Sequence, residues 1–350
     1  MPRLRRADCS APGITRRRRG RGFEYFDQAG GKVTHAQVLQ RVKGLAVPPA
    51  WTDVWICPWP NGHLQAVGVD AAGRKQYLYH PAWRARRDAE KFERMLAFAR
   101  ALPPLRRRCA RHLAAGSDLT RERVLACAVR LLDHGFFRIG GESYAAEHGS
   151  YGLATMRKEH VSLAGDVIVF DYVAKGGKER LRHLVDPAVF EVVARLKRRR
   201  SGVELLAYRN DGRWVDVTSR DINGFIKEQT GQDFSAKDFR TWSATVLAAV
   251  AVAVSGRAAG SATARKRAIT RACREVAHYL GNTAAVCRAS YIDPRVFDRY
   301  LSGWTIAGVL ENLGGEAAFG TPSTQGRVEQ AVLDLLEERT GSDAVVRIAS

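Results

Sequence analysis

A tyrosine in a polar stretch near the end of the chain is the first candidate for chemistry. Tyr291 lies in NTAAVCRASYIDPRV, residues 282 to 296, with Arg288 and Arg295 close by. A phenol, whose unperturbed pKa is about 10, can attack a phosphodiester, which leaves a covalent phosphotyrosine and a broken strand that can be resealed without ATP. A packed tyrosine is the alternative, because tyrosines are commonly half-buried in helices.

Covalent chemistry of this kind has requirements that a packed tyrosine does not have. Cations or hydrogen-bond donors must stabilise charge on the non-bridging oxygens, and an acid must protonate the departing sugar hydroxyl. Side chains of these types occur, in order, in FFRIGGESY with Arg138, VAKGGKER with Lys175, KDFRTWSAT with Lys237 and Arg240, and LGNTAAVCRASYIDP with Asn282 and Tyr291. Together the motifs resemble the type IB DNA topoisomerases, in the small poxvirus-like form found in bacteria. The resemblance covers most of the chain, from about Phe23 to Tyr300.

The resemblance implies a role for each side chain that would touch the reacting phosphate. Tyr291 is the expected nucleophile, and Arg138 and Arg240 are expected to clamp the scissile phosphate. A guanidinium fork suits phosphate oxygens and stays charged at any working pH. Asn282 is expected to donate a further hydrogen bond at a position where relatives from eukaryotes and viruses usually carry histidine.

The same resemblance assigns the proton donors and one further DNA contact. Lys175 is the expected general acid for the 5′-hydroxyl, and Lys237 is its expected helper. Tyr144 is expected to contact the DNA backbone, with packing in a helix as an equal alternative. The family often has proline where Ala284 stands and asparagine where His148 stands. These departures affect local backbone shape and DNA contacts, and they leave the reacting set complete.

The segment GRKQYLY in the first quarter of the chain supports the same resemblance. Its residues Gln76, Tyr77 and Tyr79 resemble the surface by which the smaller domain of these enzymes contacts the DNA major groove. An amide can read adenine edges, and aromatic faces can contact bases or sugars. The alternative is a strand with Tyr77 and Tyr79 on its inner face, which a spacing of two residues fits equally well.

Composition favours a polyanionic partner. The 350 residues include 56 Lys and Arg against 36 Asp and Glu, for a net charge of +20, which favours nucleic acid. The resemblance to type IB topoisomerases implies that this nucleic acid is duplex DNA. No apolar run approaches the roughly 20 residues of a membrane-spanning helix. A secretory signal is not evident, so we expect a cytoplasmic, nucleoid-associated protein. Neither a C-x-x-C pair nor a phosphate-binding G-x-x-x-x-G-K-[ST] loop occurs, so no metal, ATP or other cofactor is predicted.

Length and residue patterns predict an α+β fold with two domains. Residues 1–22 carry eight arginines and are predicted to be a flexible basic arm. Residues 23–84 are predicted to form a small, mostly antiparallel β-sheet domain that binds DNA. Residues 85–350 are predicted to form a larger, mainly α-helical catalytic domain with a β-hairpin, DVIVFDYV and ERLRHLV, that presents Lys175 near its tip. The resemblance implies a monomer whose two domains clamp the duplex.

Some boundaries and charge runs carry predictions of their own. Proline is expected to end the helix in ARRDAEKFERMLAFARAL at positions 103 and 104. A final amphipathic helix is expected from its apolar positions 328, 332, 335 and 336, ending near Gly341. The runs Arg16–Arg19, Arg106–Arg108 and Lys197–Arg200 are interpreted as solvated faces.

Two other functions fit part of the pattern. Tyrosine recombinases share the carboxy-terminal chemistry, but they usually show H-x-x-R where this chain has Lys237 to Arg240. An architectural DNA-binding protein with an inactive site would explain the charge alone. It would not need six reactive positions in this order, so a type IB topoisomerase that cleaves one strand through a 3′-phosphotyrosyl intermediate is the favoured hypothesis.

Overall fold

The computed structural model describes residues 3–256, 261–310 and 322–348. The chain separates into two compact units, Met1–Glu93 and Arg94–Ser350. Among the described residues no helix is long and apolar enough to cross a membrane. The first unit is mainly antiparallel sheet and the second mainly helical with small sheets, which confirms the predicted α+β class.

The first unit is a five-stranded sheet with one helix packed on it. Its elements are β1 (Ile14–Arg19), β2 (Gly22–Phe26), α1 (Ala36–Gly44), β3 (Thr52–Ile56), β4 (Leu64–Val69) and β5 (Lys75–Tyr79). The strands are antiparallel in the order β2-β1-β3-β4-β5, so β5 is an edge strand. Val42 of α1 is buried against Val54, Ile56 and Ala66 of the sheet.

Residues 14 to 19, predicted to belong to a flexible arm, form β1 instead. The strand turns at Gly20, whose φ of +56° favours glycine, and pairs with β2. Arg16 of this strand makes hydrogen bonds and a ring contact that a count of charges does not reveal. Arg16 donates to the carbonyls of Val47 (2.9 Å) and Trp51 (2.6 Å), and its guanidinium carbon lies 4.1 Å from the centre of the Phe23 ring. The prediction of a flexible arm is therefore wrong for this segment, and the prediction of a solvated charge run is wrong for Arg16, whereas Arg17, Arg18 and Arg19 are exposed.

The long helix α2 (Pro81–Ala114) continues through Pro103 and Pro104, where the sequence predicted it to end. Each proline removes a backbone donor and costs about 3 kcal/mol inside a helix. Leu102, Leu105 and Cys109 nevertheless bury their side chains, so the apolar stripe extends past the prolines. The burial of this apolar stripe stabilises the helix more than the two prolines destabilise it.

The described part of the second unit consists of helices and three small sheets. Its helices are α3 (Arg121–Gly135), α4 (Glu142–His148), α5 (Pro187–Arg198), α6 (Ser219–Thr230), α7 (Ala236–Gly256), α8 (Ala262–Leu280), α9 (Ala284–Ser290), α10 (Pro294–Leu301), α11 (Ala307–Leu310) and α12 (Arg327–Leu336). Its strands are β6 (Val161–Ala164), β7 (Val167–Ala174), β8 (Lys178–Val185), β9 (Ala207–Asn210), β10 (Arg213–Asp216), β11 (Trp304–Thr305) and β12 (Val346–Arg347). The buried helix α7 supplies much of the core.

The predicted β-hairpin is formed by β7 and β8, with β6 added beside β7. Ala174 pairs with Lys178, which leaves residues 175 to 177 as the turn. Gly176 and Gly177 have φ angles of +82° and +69°, a conformation that a side chain would strain. The final helix α12 buries the predicted apolar positions but ends at Leu336, five residues before Gly341.

Candidate active site

A tight loop after α3 positions Arg138. The helix ends at Phe136, which adopts a left-handed conformation with φ of +55°. Beyond it, Leu153 donates a backbone hydrogen bond of 2.8 Å to the carbonyl of Arg138. Gly140 and Gly152 approach so closely that a Cβ on Gly152 would lie 2.4 Å from the Gly140 nitrogen. The two glycines thus allow the loop to fold back and fix the base of the Arg138 side chain.

Arg240 lies in the first part of α7 and is only 5% exposed. Its guanidinium donates to the carbonyl of Phe136 (2.7 Å) and to that of Leu280 (2.9 Å). Burial lowers the pKa of Arg240 to about 10, with a further lowering from the charge of Arg138. The side chain stays charged at neutral pH, and two backbone bonds fix its direction. Its Nε finds no hydrogen-bond partner among the described residues, which leaves a buried donor for another group.

Tyr291 follows the last residue of α9 and is half-buried. Its backbone is held by donation to the carbonyl of Cys287 (3.0 Å) and by acceptance from the hydroxyl of Thr245 (3.3 Å). The guanidinium carbon of Arg240 lies 5.4 Å from the centre of the Tyr291 ring. Burial raises the pKa of the phenol, but the positive charges of Arg240 and Arg138 outweigh it and bring the pKa below its ordinary value. The phenolate, which is the attacking form, therefore costs less free energy to form than in an unperturbed tyrosine.

Asn282 connects α8 to α9 beside the two arginines. Gly281 ends α8 with φ of +67°, which turns the chain toward the site. The side-chain oxygen of Asn282 accepts a short hydrogen bond from Arg138. Its amide nitrogen is buried without a hydrogen-bond partner in the described part of the chain. The amide thus orients Arg138 and retains a donor for a further acceptor.

Two lysines complete the cleft in front of Tyr291. Lys175 stands at the tip of the β7–β8 hairpin and Lys237 in the first turn of α7, and both line the cleft. The cleft has a volume of about 260 Å³ and is also lined by Arg138, Arg240 and Tyr291. The structure therefore brings five of the six predicted catalytic residues to one cavity, and the sixth, Asn282, bonds to one of them.

This cleft can accommodate an anion between its cations. Two guanidinium groups and two ammonium groups line the cleft together with the phenol, and Asn282 lies behind Arg138. Such preorganised donors stabilise charge that develops on phosphoryl oxygens. Within the described residues, no group of three or more His, Cys, Asp and Glu side chains is placed to hold a metal ion.

The predicted DNA-contact residues lie on two faces of the edge strand β5. Tyr77 and Tyr79 are 43% and 40% exposed, and their rings stack with centres 6.2 Å apart. The alternative that both face the interior is therefore wrong. Gln76 points to the other face of the strand, where its amide donates to Asp70 (2.9 Å). The side chain of Tyr144 lies outside the described residues.

Several site residues were missed by sequence reasoning. Ser150 and Tyr151 line the cleft, and Tyr151 is fixed by a hydrogen bond from its backbone N–H to the carbonyl of Val173 (2.8 Å). The carbonyls of Phe136 and Leu280 anchor Arg240. Backbone acceptors leave no signature in residue type, so no sequence signal could have identified them.

Comparisons with known proteins agree with this geometry. The profile of the eukaryotic DNA topoisomerase I catalytic core matches residues 80–302, and that of the bacterial DNA topoisomerase IB N-terminal domain matches residues 22–70. The first match alone covers more than half of the chain. The chain belongs to the type IB DNA topoisomerases. The family prediction is thus confirmed, which favours a topoisomerase over a tyrosine recombinase.

Similar topoisomerases are found in viruses and a fungus. DNA topoisomerase 1B of Acanthamoeba polyphaga mimivirus is 30% identical over 287 residues, which cover 80% of this chain and 85% of the viral protein. DNA topoisomerase 1 of Mycosarcoma maydis is 25% identical over 57% of this chain and 22% of its own length. DNA topoisomerase 1B of vaccinia virus (strain Copenhagen) is 29% identical over 42% of this chain and 46% of its own length.

Proposed function

We propose that this type IB topoisomerase relaxes supercoiled duplex DNA by cleaving one strand with Tyr291. The phenol gives its proton to solvent water, and its oxygen forms a bond to the scissile phosphorus while the bond from phosphorus to the 5′-oxygen breaks. The strand is then held by a 3′-phosphotyrosyl bond, and the free 5′-hydroxyl end rotates about the intact strand. Attack by that hydroxyl reverses the step and releases the phenol.

Each neighbour has a part in this reaction. Arg138 and Arg240 donate to the non-bridging oxygens, and Asn282 adds a third donor from its unpartnered amide. Lys175 gives its proton to the departing 5′-oxygen, assisted by Lys237. Both lysines line the same cleft as Tyr291, which supports proton transfer at that place.

The observation that carries the proposal is that Tyr291 shares one cleft with Arg138 and Arg240 and lies against the Arg240 guanidinium. A packed structural tyrosine has no need of Arg240, whose burial costs free energy unless its charge is used. Because the phosphotyrosyl bond conserves the energy of the broken phosphodiester, we propose that neither ATP nor a metal ion is required. We further propose that the protein acts as a monomer on the nucleoid in the cytoplasm.

Contacts outside the cleft would hold the duplex. We propose that the exposed, stacked rings of Tyr77 and Tyr79 contact DNA from the first unit. Gln76 would have to leave its bond to Asp70 to read a base edge. Tyr144 remains a proposed backbone contact.

Plasmid relaxation tests the proposal. The protein should relax supercoiled plasmid in buffer that contains EDTA and lacks ATP. A requirement for either Mg²⁺ or ATP would contradict the proposed mechanism.

A further inference from the structure

A buried ion cluster lies behind the phosphate clamp. Arg106 of α2 donates to both carboxylate oxygens of Asp133 on α3 at 2.8 Å. The same guanidinium donates to both oxygens of Glu329 on α12, at 2.5 and 2.9 Å. The three side chains are only 16%, 5% and 12% exposed. We call Arg106, Asp133 and Glu329 the rear cluster.

The rear cluster reaches Arg240 by two short routes. Trp242, two residues after Arg240 on α7, donates its indole N–H to Glu329 at 2.8 Å and is fully buried. Asp133 lies three residues before Phe136, whose carbonyl accepts from Arg240. The rear cluster thus holds both α7, which carries Arg240, and the end of α3, where the carbonyl of Phe136 anchors the Arg240 guanidinium.

Stability alone does not account for this arrangement. Taking three charges out of water costs several kcal/mol per ion, and well-packed apolar residues often stabilise a core as well or better. The bidentate geometry instead fixes directions, which suits groups that must be held within a fraction of an ångström. Glu329 also lies beyond residues 80–302, the part of the chain that matches the catalytic-core profile.

We propose that Glu329 is a positioning residue for the cleavage reaction, acting through Arg106, Asp133 and Trp242 on the direction of Arg240. This inference rests on the proposed function, because it gives Arg240 a part in stabilising the transition state. Through Glu329 of α12, the carboxy-terminal part of the chain contributes to catalysis by holding Arg240 in position.

Glu329→Gln tests the proposal because it keeps the shape of the side chain and removes its charge. Single-turnover cleavage should slow about tenfold, since a shifted clamp weakens transition-state contacts. Duplex affinity, measured in a Tyr291→Phe background, should stay unchanged. Glu191→Gln is the matched control: it breaks the 2.9 Å ion pair with the buried Arg123, near the start of α3. The control should cleave within about twofold of the parent.

A double variant separates positioning from stability. If Glu329 acts through Arg240, adding Glu329→Gln to Arg240→Ala should cause no further loss of rate, because the effects of a coupled pair are not additive. The proposal would be overturned if Glu329→Gln slowed cleavage by the same factor in the parent enzyme and in Arg240→Ala. It would also be overturned if Glu329→Gln cleaved as fast as the Glu191→Gln control. Should Glu329→Gln fold poorly, Trp242→Phe removes the indole donor and part of a buried ring, and the same comparison with Arg240→Ala applies. The Tyr291→Phe adduct test is independent, so failure of the proposed function would be recognised separately.

Discussion

Replacing Arg240 with alanine perturbs the clamp at its most buried member. The substitution removes a 5% exposed guanidinium that is held by two carbonyls and lies 5.4 Å from the Tyr291 ring centre. If Arg240 stabilises charge on the phosphate, cleavage should slow by about a hundred- to a thousandfold, the usual effect of losing one such donor. That factor corresponds to roughly 3 to 4 kcal/mol of transition-state stabilisation.

The free energy of unfolding changes through two opposing contributions. The carbonyls of Phe136 and Leu280 lose their donor, at about 1 to 3 kcal/mol each if they stay unsatisfied. Against this, the buried charge disappears: burial and the charge of Arg138 lower the pKa of Arg240 to about 10, a shift worth roughly 3 kcal/mol. The opposing contributions cancel to within about 3 kcal/mol.

The assay is single-turnover cleavage of a duplex that loses a short 3′ fragment and so cannot religate, with the covalent adduct resolved on a denaturing gel. Arg199→Ala is the matched control. Its side chain is 1% exposed and donates to the carbonyls of Ser201 (2.8 Å) and Glu204 (2.5 Å), but it does not line the cleft. The control should lose stability and keep its cleavage rate. An Arg240→Ala enzyme that cleaves as fast as Arg199→Ala would refute the reasoning.

Three further predictions address the acid, the nucleophile and DNA affinity. Lys175→Ala should cleave ordinary DNA slowly and recover on a substrate with sulfur at the bridging 5′ position, because a thiolate leaves without a proton; an equal defect on both substrates would make its role electrostatic. The pKa of Tyr291 is held down by positive charge, so Arg138→Gln should move the rising limb of the pH–rate profile to higher pH, and an unmoved limb would contradict that cause. Replacing the exposed Arg17 and Arg18 with glutamine should flatten the plot of log affinity against log salt by roughly 0.9 for each phosphate that the protein no longer neutralises, whereas an unchanged slope would show that β1 stays off the DNA.

Local patterns with a single physical cause were predictable from the sequence. The strands β3, β4 and β5 and the β7–β8 hairpin follow runs of β-branched and aromatic residues bounded by glycine turns. The reactive side chains were also predictable, because each sits in a short motif whose residue types the chemistry requires. Their assembly in one cleft required the structure, since Arg138 and Tyr291 are separated by more than half of the second unit.

Charged residues were the main source of error, because a run of charged residues does not show which groups its side chains will bind. Arg16 was predicted to belong to a solvated arm, but its guanidinium donates hydrogen bonds to the carbonyls of Val47, Pro48 and Trp51. Arg106 and Arg199, predicted to lie on solvated faces, are largely buried in ion pairs and carbonyl bonds. These partners come from distant parts of the chain, so they are a property of the tertiary structure.

Helix ends were the other weak point. The sequence predicted that Pro103 would end α2, but burial of Leu105 and Cys109 sustains the helix to Ala114. Local propensity is a weak prior when a helix packs along its whole length.

Trapping of the covalent intermediate tests the central claim most directly. Incubation with a cleavable duplex in EDTA and without ATP should give an adduct in which mass spectrometry places a 3′-phosphate on Tyr291. Tyr291→Phe, which removes one oxygen and keeps the ring, should bind the duplex and form no adduct. An adduct of undiminished yield in Tyr291→Phe, or a phosphate mapped to another residue of the parent enzyme, would contradict the account.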